Sequence, residues 1–100
     1  MAATPESKVK AKIKAILKAN GVYYAMPIGT GYGNSGVPDF LCCLGGRFLA
    51  IEAKANGGTT TALQDKNLRD IENAGGITCV LNEDNVAALG GYLKLMMEKK

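Results

Sequence analysis

The chain contains neither histidine nor tryptophan in its 100 residues. Without an imidazole, Ser-His-Asp and Cys-His nucleophilic schemes, His-ligated zinc and hydrolysis with histidine as base are excluded. Chemistry on this chain has to run on carboxylates, lysine and hydroxyls, with or without a hard metal ion. Cysteine is scarce and odd in number, three in all, and Cys42 and Cys43 are adjacent. On a strand these two point to opposite faces, which suits neither a disulfide nor a shared metal. All three are expected to be small buried hydrophobes in a reducing compartment. No apolar run approaches the roughly 20 residues of a membrane span. The opening Met-Ala-Ala-Thr-Pro-Glu has no signal-peptide pattern, so a cytoplasmic location is the expectation.

What is present is mostly apolar. Hydrophobic residues make up 47% of the chain, which argues against disorder. The length fits one domain, residues 1–100, with a modest core that self-association would help. The net charge of +3 is unevenly spread: Lys8, Lys10, Lys12, Lys14 and Lys18 crowd the first twenty residues against Glu6 alone. Such a cluster suits either attraction of phosphates or a solvated helix face.

Periodicity predicts the order α-β-β-β-α-β-α. Pro5 to Ala19 reads as a helix, with Thr4 as N-cap, Pro5 at the first helical position and Val9, Ile13, Ile16 and Leu17 on one stripe. Asn20-Gly21 ends it. Val22 to Met26 reads as a strand, and Pro27 to Val37 as a glycine-rich loop. A hairpin runs from about Asp39 to Ala55. Thr61 to Ala74 is a second helix closed by Gly75-Gly76, Ile77 to Leu81 a strand, and Asp84 to Met97 a final helix with Val86, Leu89, Leu93 and Met97 on one stripe. A crossover through the second helix sets the last strand parallel to a neighbour, so the fold class is α/β with a mixed sheet. Both hairpin faces are apolar, which places it centrally with helices packed on each side.

The hairpin carries the chemistry. Phe40 to Leu44 and Arg47 to Ile51 are apolar runs joined by Gly45-Gly46, the pattern of a two-residue turn. Pairing Leu44 with Arg47 brings Asp39 opposite Glu52, with Cβ atoms roughly 4.5–5.5 Å apart. Lys54 shares the face of Glu52, and Ala53 points away. Two adjacent carboxylates repel unless a cation lies between them. Mg²⁺ takes one or two carboxylates and completes its shell with waters and phosphates, and Lys54 would stabilise charge developing on a phosphate. The competing reading is a buried Lys54–Glu52 ion pair with Asp39 starting a strand, although such pairs contribute little net stability.

Val37-Pro38-Asp39-Phe40 followed by Ile51-Glu52-Ala53-Lys54 resembles the PD-(D/E)XK nuclease superfamily. Ser35-Gly36-Val37-Pro38-Asp39, Glu52-Ala53-Lys54-Ala55 and Gln64 at the next helix sharpen the resemblance to its VRR-NUC branch, over nearly the whole chain. The resemblance implies a restriction-endonuclease-like core, Asp39 and Glu52 as ligands of Mg²⁺ or Mn²⁺, the backbone carbonyl of Ala53 as a further ligand, and Lys54 as the catalytic lysine. It adds Glu6 as the acidic residue that family members often supply from the first helix, although Glu6 also complements the helix dipole. It places Gln64 near the site, although Thr61-Ala62-Leu63-Gln64 equally fits a capping box.

Gly31 to Gly36 contains a literal G-x-G-x-x-G. A dinucleotide fingerprint opens a helix, and this stretch runs into Val37-Pro38 and a strand, so no nucleotide cofactor is expected. It reads either as a plain surface loop or as one in which Tyr32, Asn34 and Ser35 touch DNA phosphate or sugar. Lys8 and Lys12 would add contacts from the first helix; such contacts position DNA without reading its sequence. The resemblance implies a metal-dependent, structure-specific endonuclease, and small stand-alone members look like Holliday-junction resolvases acting as homodimers. The alternatives are a nuclease for ordinary duplex or flap DNA, a non-catalytic DNA-binding module and a small-nucleotide phosphohydrolase.

Overall fold

The first helix forms where its signals lie. In a computed structural model, which describes residues 4–28 and 36–98, α1 spans Pro5–Ala19, and the Thr4 side chain accepts a hydrogen bond from the Ser7 amide. Asn20 closes it by donating its side-chain amide to the Ile16 carbonyl at 2.9 Å. Val9, Ile13 and Leu17 form its buried stripe. The next strand, β1, is only Tyr23–Ala25. It falls short of the expected Val22–Met26 because the Val22 amide donates to the Leu17 carbonyl and so belongs to the helix end. At the other end, Pro27 has no amide to extend a ladder.

The sheet is built around the hairpin of β2 (Phe40–Leu44) and β3 (Arg47–Ala53). Gly45 and Gly46 have φ of 56° and 76°, the two left-handed residues that a tight hairpin turn requires. The register runs from Leu44↔Arg47 to Phe40↔Ile51. Next come α2 (Ala62–Asn73) and β4 (Ile77–Leu81), which lies parallel to β3, while β1 pairs antiparallel with β2. The order β1-β2-β3-β4 is the expected mixed sheet.

A 3₁₀ turn at Val86–Ala88 leads into α3 (Leu89–Glu98), so the last α-helix starts later than the expected Asp84. The Asn82 side chain accepts from the amides of Asp84 and Asn85, and Asn85 Oδ1 accepts from the Asn82 amide. These local bonds compete with the helix and hold the segment outside it. Within α3, Met96 lies seven residues after Leu89 and three after Leu93, on the same face, and is buried, whereas Met97 is only half-buried.

One sheet face, with Phe40, Cys42, Leu44, Leu49, Ile51 and Ala53, packs with α1 and α3 into a single core. The other face meets α2 and is not fully covered, contrary to the expectation. Phe48 is 43% exposed, Cys43 is exposed, and α2 contributes no fully buried residue. A helix is about 10 Å across and strands are spaced about 4.8 Å apart, so one helix cannot cover four strands. Cys43 is thus a surface thiol rather than a core residue. Burial pushes the Cys42 thiol up to about 11; burial and then the nearby Cys42 push Cys79 up to about 12. Among the described residues no helix is long and apolar enough to cross a membrane.

The difference between the two faces is measurable. Leu49→Ala, on the covered face at 0% exposure, is expected to cost about 2–5 kcal/mol in urea unfolding. Leu63→Ala, on the exposed part of α2 at 54%, is expected to stay within about 0.5 kcal/mol of the parent.

Candidate functional site

The register places the acids. Continuing the β2–β3 ladder one pair beyond Phe40↔Ile51 sets Asp39 opposite Glu52. Pairs alternate along an antiparallel ladder, and counting from the turn makes this one of the close, non-hydrogen-bonded kind. Asp39 Oδ2 accepts the Ala53 amide at 2.8 Å. In a regular ladder that amide and the Ala53 carbonyl would both be served by residue 38. Residue 38 is a buried proline, which has no N–H to offer the carbonyl. The Pro-Asp pair therefore takes the Ala53 amide through a side chain and supplies no ladder donor to its carbonyl.

Glu52 is the buried charged residue of the described core, at 3% exposure. Its Oε2 accepts from Gln64 Nε2 at 3.0 Å and lies 3.7 Å from Lys54 Nζ. Gln64 forms the expected capping box and also reaches Glu52. Its Oε1 accepts from the Thr61 amide at 2.9 Å and its own amide donates to Thr61 Oγ1 at 3.2 Å, which completes the capping box. The remaining end of the side chain reaches Glu52. Gly36 sets this approach. It has φ of 79°, and a Cβ there would lie 2.7 Å from the Leu63 carbonyl carbon and 2.9 Å from the Gln64 amide nitrogen. Glycine thus lets the strand entry press directly on the first turn of α2.

Glu6 lies one step further out. It meets Lys10 at 3.5 Å, and Lys10 Nζ in turn lies 3.4 Å from Asp39 Oδ1. Lys10 is the residue that sequence reasoning missed at the site. The stripe of Val9, Ile13 and Leu17 is visible in the sequence and Lys10 flanks it, but which flank meets Asp39 is set only by the packing of α1 on the sheet. Lys8 and Lys12 are exposed. At about 100° per residue they lie on the opposite flank, so the structure does not bring them to the carboxylates. Tyr32, Asn34 and Ser35 lie outside the described residues.

The electrostatics reflect this crowding. Burial, then the charge and hydrogen bonding of Asp39, push the Glu52 carboxyl up to about 7, with Lys54 partly opposing them. Burial lowers the Lys10 pKa, but Asp39 and then Glu6 outweigh it and leave it raised. Two carboxylates, a backbone carbonyl and no sulfur or imidazole form a donor set for a hard divalent cation. Among the described residues no three acidic, cysteine or histidine side chains cluster as a metal site. Asp39 and Glu52 are two carboxylates, and Mg²⁺ typically takes one or two.

No family model and no curated protein matches the chain. Solved structures do. One described as a VRR_NUC domain protein superposes with a TM-score of 0.72 at 18% identity, over 95% of this chain and 93% of its own. Another, described as a VRR_NUC domain, gives 0.71 at 21% identity over 97% and 98%. The chain therefore has the VRR-NUC fold, of the restriction-endonuclease-like α/β class.

Two outcomes test the site geometry. Gly57 also has positive φ, 74°, but a Cβ there meets nothing within 4 Å. Gly57→Ala should cost about 1 kcal/mol, and Gly36→Ala about 1–3 kcal/mol more because it overpacks against backbone, as read by urea unfolding. The second concerns pH. A carboxyl whose folded pKa is raised binds its proton more tightly when folded, so its stabilising effect is full below the unfolded value and is lost as pH rises. For Glu52 that window runs from about 4.5 to about 7. In EDTA the melting temperature should fall across this window, and Glu52→Gln should flatten the fall.

Proposed function

We propose that this chain is a metal-dependent DNA endonuclease that hydrolyses phosphodiester bonds. Its substrate would be branched DNA, in particular the four-way Holliday junction, cut by a homodimer. The observation that carries this reading is the Asp39–Glu52 pair at the end of the β2–β3 hairpin, with the Lys54 ammonium 3.7 Å from Glu52. The VRR-NUC fold supports it. The branched substrate and the dimer rest on the resemblance read from the sequence. A C2 dimer supplies the two symmetric cuts that a four-way junction needs, and a 100-residue chain gains core by pairing.

Asp39, Glu52 and the Ala53 carbonyl would hold Mg²⁺ or Mn²⁺. The bound ion supplies Lewis acidity toward a phosphodiester. The protein does the rest by placement. Asp39 is held by the Ala53 amide and Glu52 by Gln64, so neither carboxylate has to be ordered when substrate arrives. Lys54 keeps a positive charge at the pair, where charge on a phosphate would develop. It emerges from the end of a central strand, a rigid support for a side chain that has to hold position. Glu6 stands beside the site and reaches Asp39 through Lys10.

Cleavage of a labelled four-way junction with Mg²⁺ tests this reading. Asp39→Ala and Lys54→Ala should each lower the rate by about 10²-fold or more, and EDTA should abolish cutting. Linear and flapped duplexes offered alongside should be cut more slowly. Equal rates in wild type and both variants would remove the proposed site, and binding without cutting would make the domain a DNA-binding module.

A further inference from the structure

Asp39 has two oxygens in different circumstances. Oδ2 is fixed by a backbone amide at 2.8 Å. Oδ1 faces a side-chain cation, the Lys10 ammonium, at 3.4 Å, a long and loose contact beside the 2.7–2.9 Å of a tight charge-assisted bond. The Lys10 side chain keeps 32% of its surface in solvent and has a second anionic partner, Glu6, at 3.5 Å and one helical turn away. Lys54 differs on each count. It is 14% exposed and its ion-pair partner is Glu52, so it belongs to the interior of the site.

We propose that Lys10 is a displaceable counter-cation: its ammonium sits at Asp39 Oδ1, where a divalent ion would bind, and retreats to Glu6 when that ion arrives. This rests on the proposed role of Asp39 and Glu52 as metal ligands. Metal binding is then an exchange. Mg²⁺ approaches its oxygen ligands to about 2.0–2.1 Å, and a second cation at the same oxygen is repelled. Without such an ion, Lys10 offsets the repulsion between Asp39 and Glu52. With it, Lys10 stays paired on its own helix and need not be stripped of every partner. Glu6 acquires a role here without touching the metal.

The test is Mn²⁺ binding by titration calorimetry, together with melting temperature in EDTA and in Mn²⁺, for wild type, Lys10→Met, Lys10→Gln, Lys10→Arg and Asp39→Asn. Removing the charge at position 10 should lower the melting temperature in EDTA and tighten Mn²⁺ binding by about two- to fivefold, the span of a partly exposed ion pair. Lys10→Arg should bind Mn²⁺ no tighter than wild type. A purely structural lysine would lower stability without tightening metal binding. Mn²⁺ affinity that is unchanged or weaker in both Lys10→Met and Lys10→Gln overturns the proposal. Where Asp39→Asn abolishes binding, that failure leaves the metal site standing; Mn²⁺ uptake that survives Asp39→Asn overturns both.

Discussion

The hydrogen bond from the Ala53 amide to Asp39 Oδ2 is where the hairpin stops being a regular ladder and the candidate site begins. Up to Phe40↔Ile51 the two strands pair backbone to backbone. At the next hydrogen-bonded rung, opposite Ala53, Pro38 cannot donate, and the Asp39 side chain takes the place of the main chain. Its carboxylate is therefore oriented by strand geometry, which is stiff, and not by the packing of neighbouring side chains. That geometry depends on the turn. A slip of one residue would move every β3 side chain to the opposite face, turning Glu52 into the core and Ala53 toward Asp39. Two consecutive left-handed glycines at the turn hold the register that prevents this.

Bringing the acids together has an electrostatic cost, and each surrounding element offsets part of it. Lys54 directly follows β3, Lys10 comes from α1 and the neutral amide of Gln64 from α2. The charges are poor as a stability device, since a buried carboxylate that titrates near neutrality opposes folding in the very range where it is ionised. A well-packed apolar pair at 39 and 52 would serve the sheet better. The arrangement is intelligible as a binding site whose ligand restores what the repulsion removes, since any ligand of the folded state alone stabilises it.

The hairpin was legible in the sequence because its determinants are local: a Gly-Gly turn, apolar runs on each side and a count of residues. The α1 cap and the Thr61–Gln64 capping box were legible for the same reason. Lys10 was not, because the lysines of α1 look alike until the rotation of the helix on the sheet is known, and that rotation is set by Val9, Ile13 and Leu17 packing into a core assembled from distant strands. Coverage of the second sheet face was misread because an apolar strand pattern reports what a face could bury, not whether a helix of finite width reaches it. Phe48 is left partly exposed and Cys43 exposed. The start of α3 was misread because Asn82 and Asn85 bond their own loop in preference to a helix.

The choice of glutamine at position 64 separates helix capping from the needs of the site. Glutamate fills the third position of a capping box as well as glutamine does, and an acidic group in a helix's first turn gains from the helix dipole. Capping alone therefore does not favour glutamine. What glutamate cannot do is donate a hydrogen bond when ionised, and here the far end of the side chain is a donor aimed at Glu52 Oε2 at 3.0 Å. A carboxylate in its place would add a further like charge to a pair already crowded. Since α2 has no fully buried side chain to fix it, its first turn is held at the sheet by this amide, by the backbone pressing on Gly36, and elsewhere by contacts such as Glu72 with Thr78. One neutral side chain thus caps a helix and steadies a carboxylate, and only the second task explains why it is neutral.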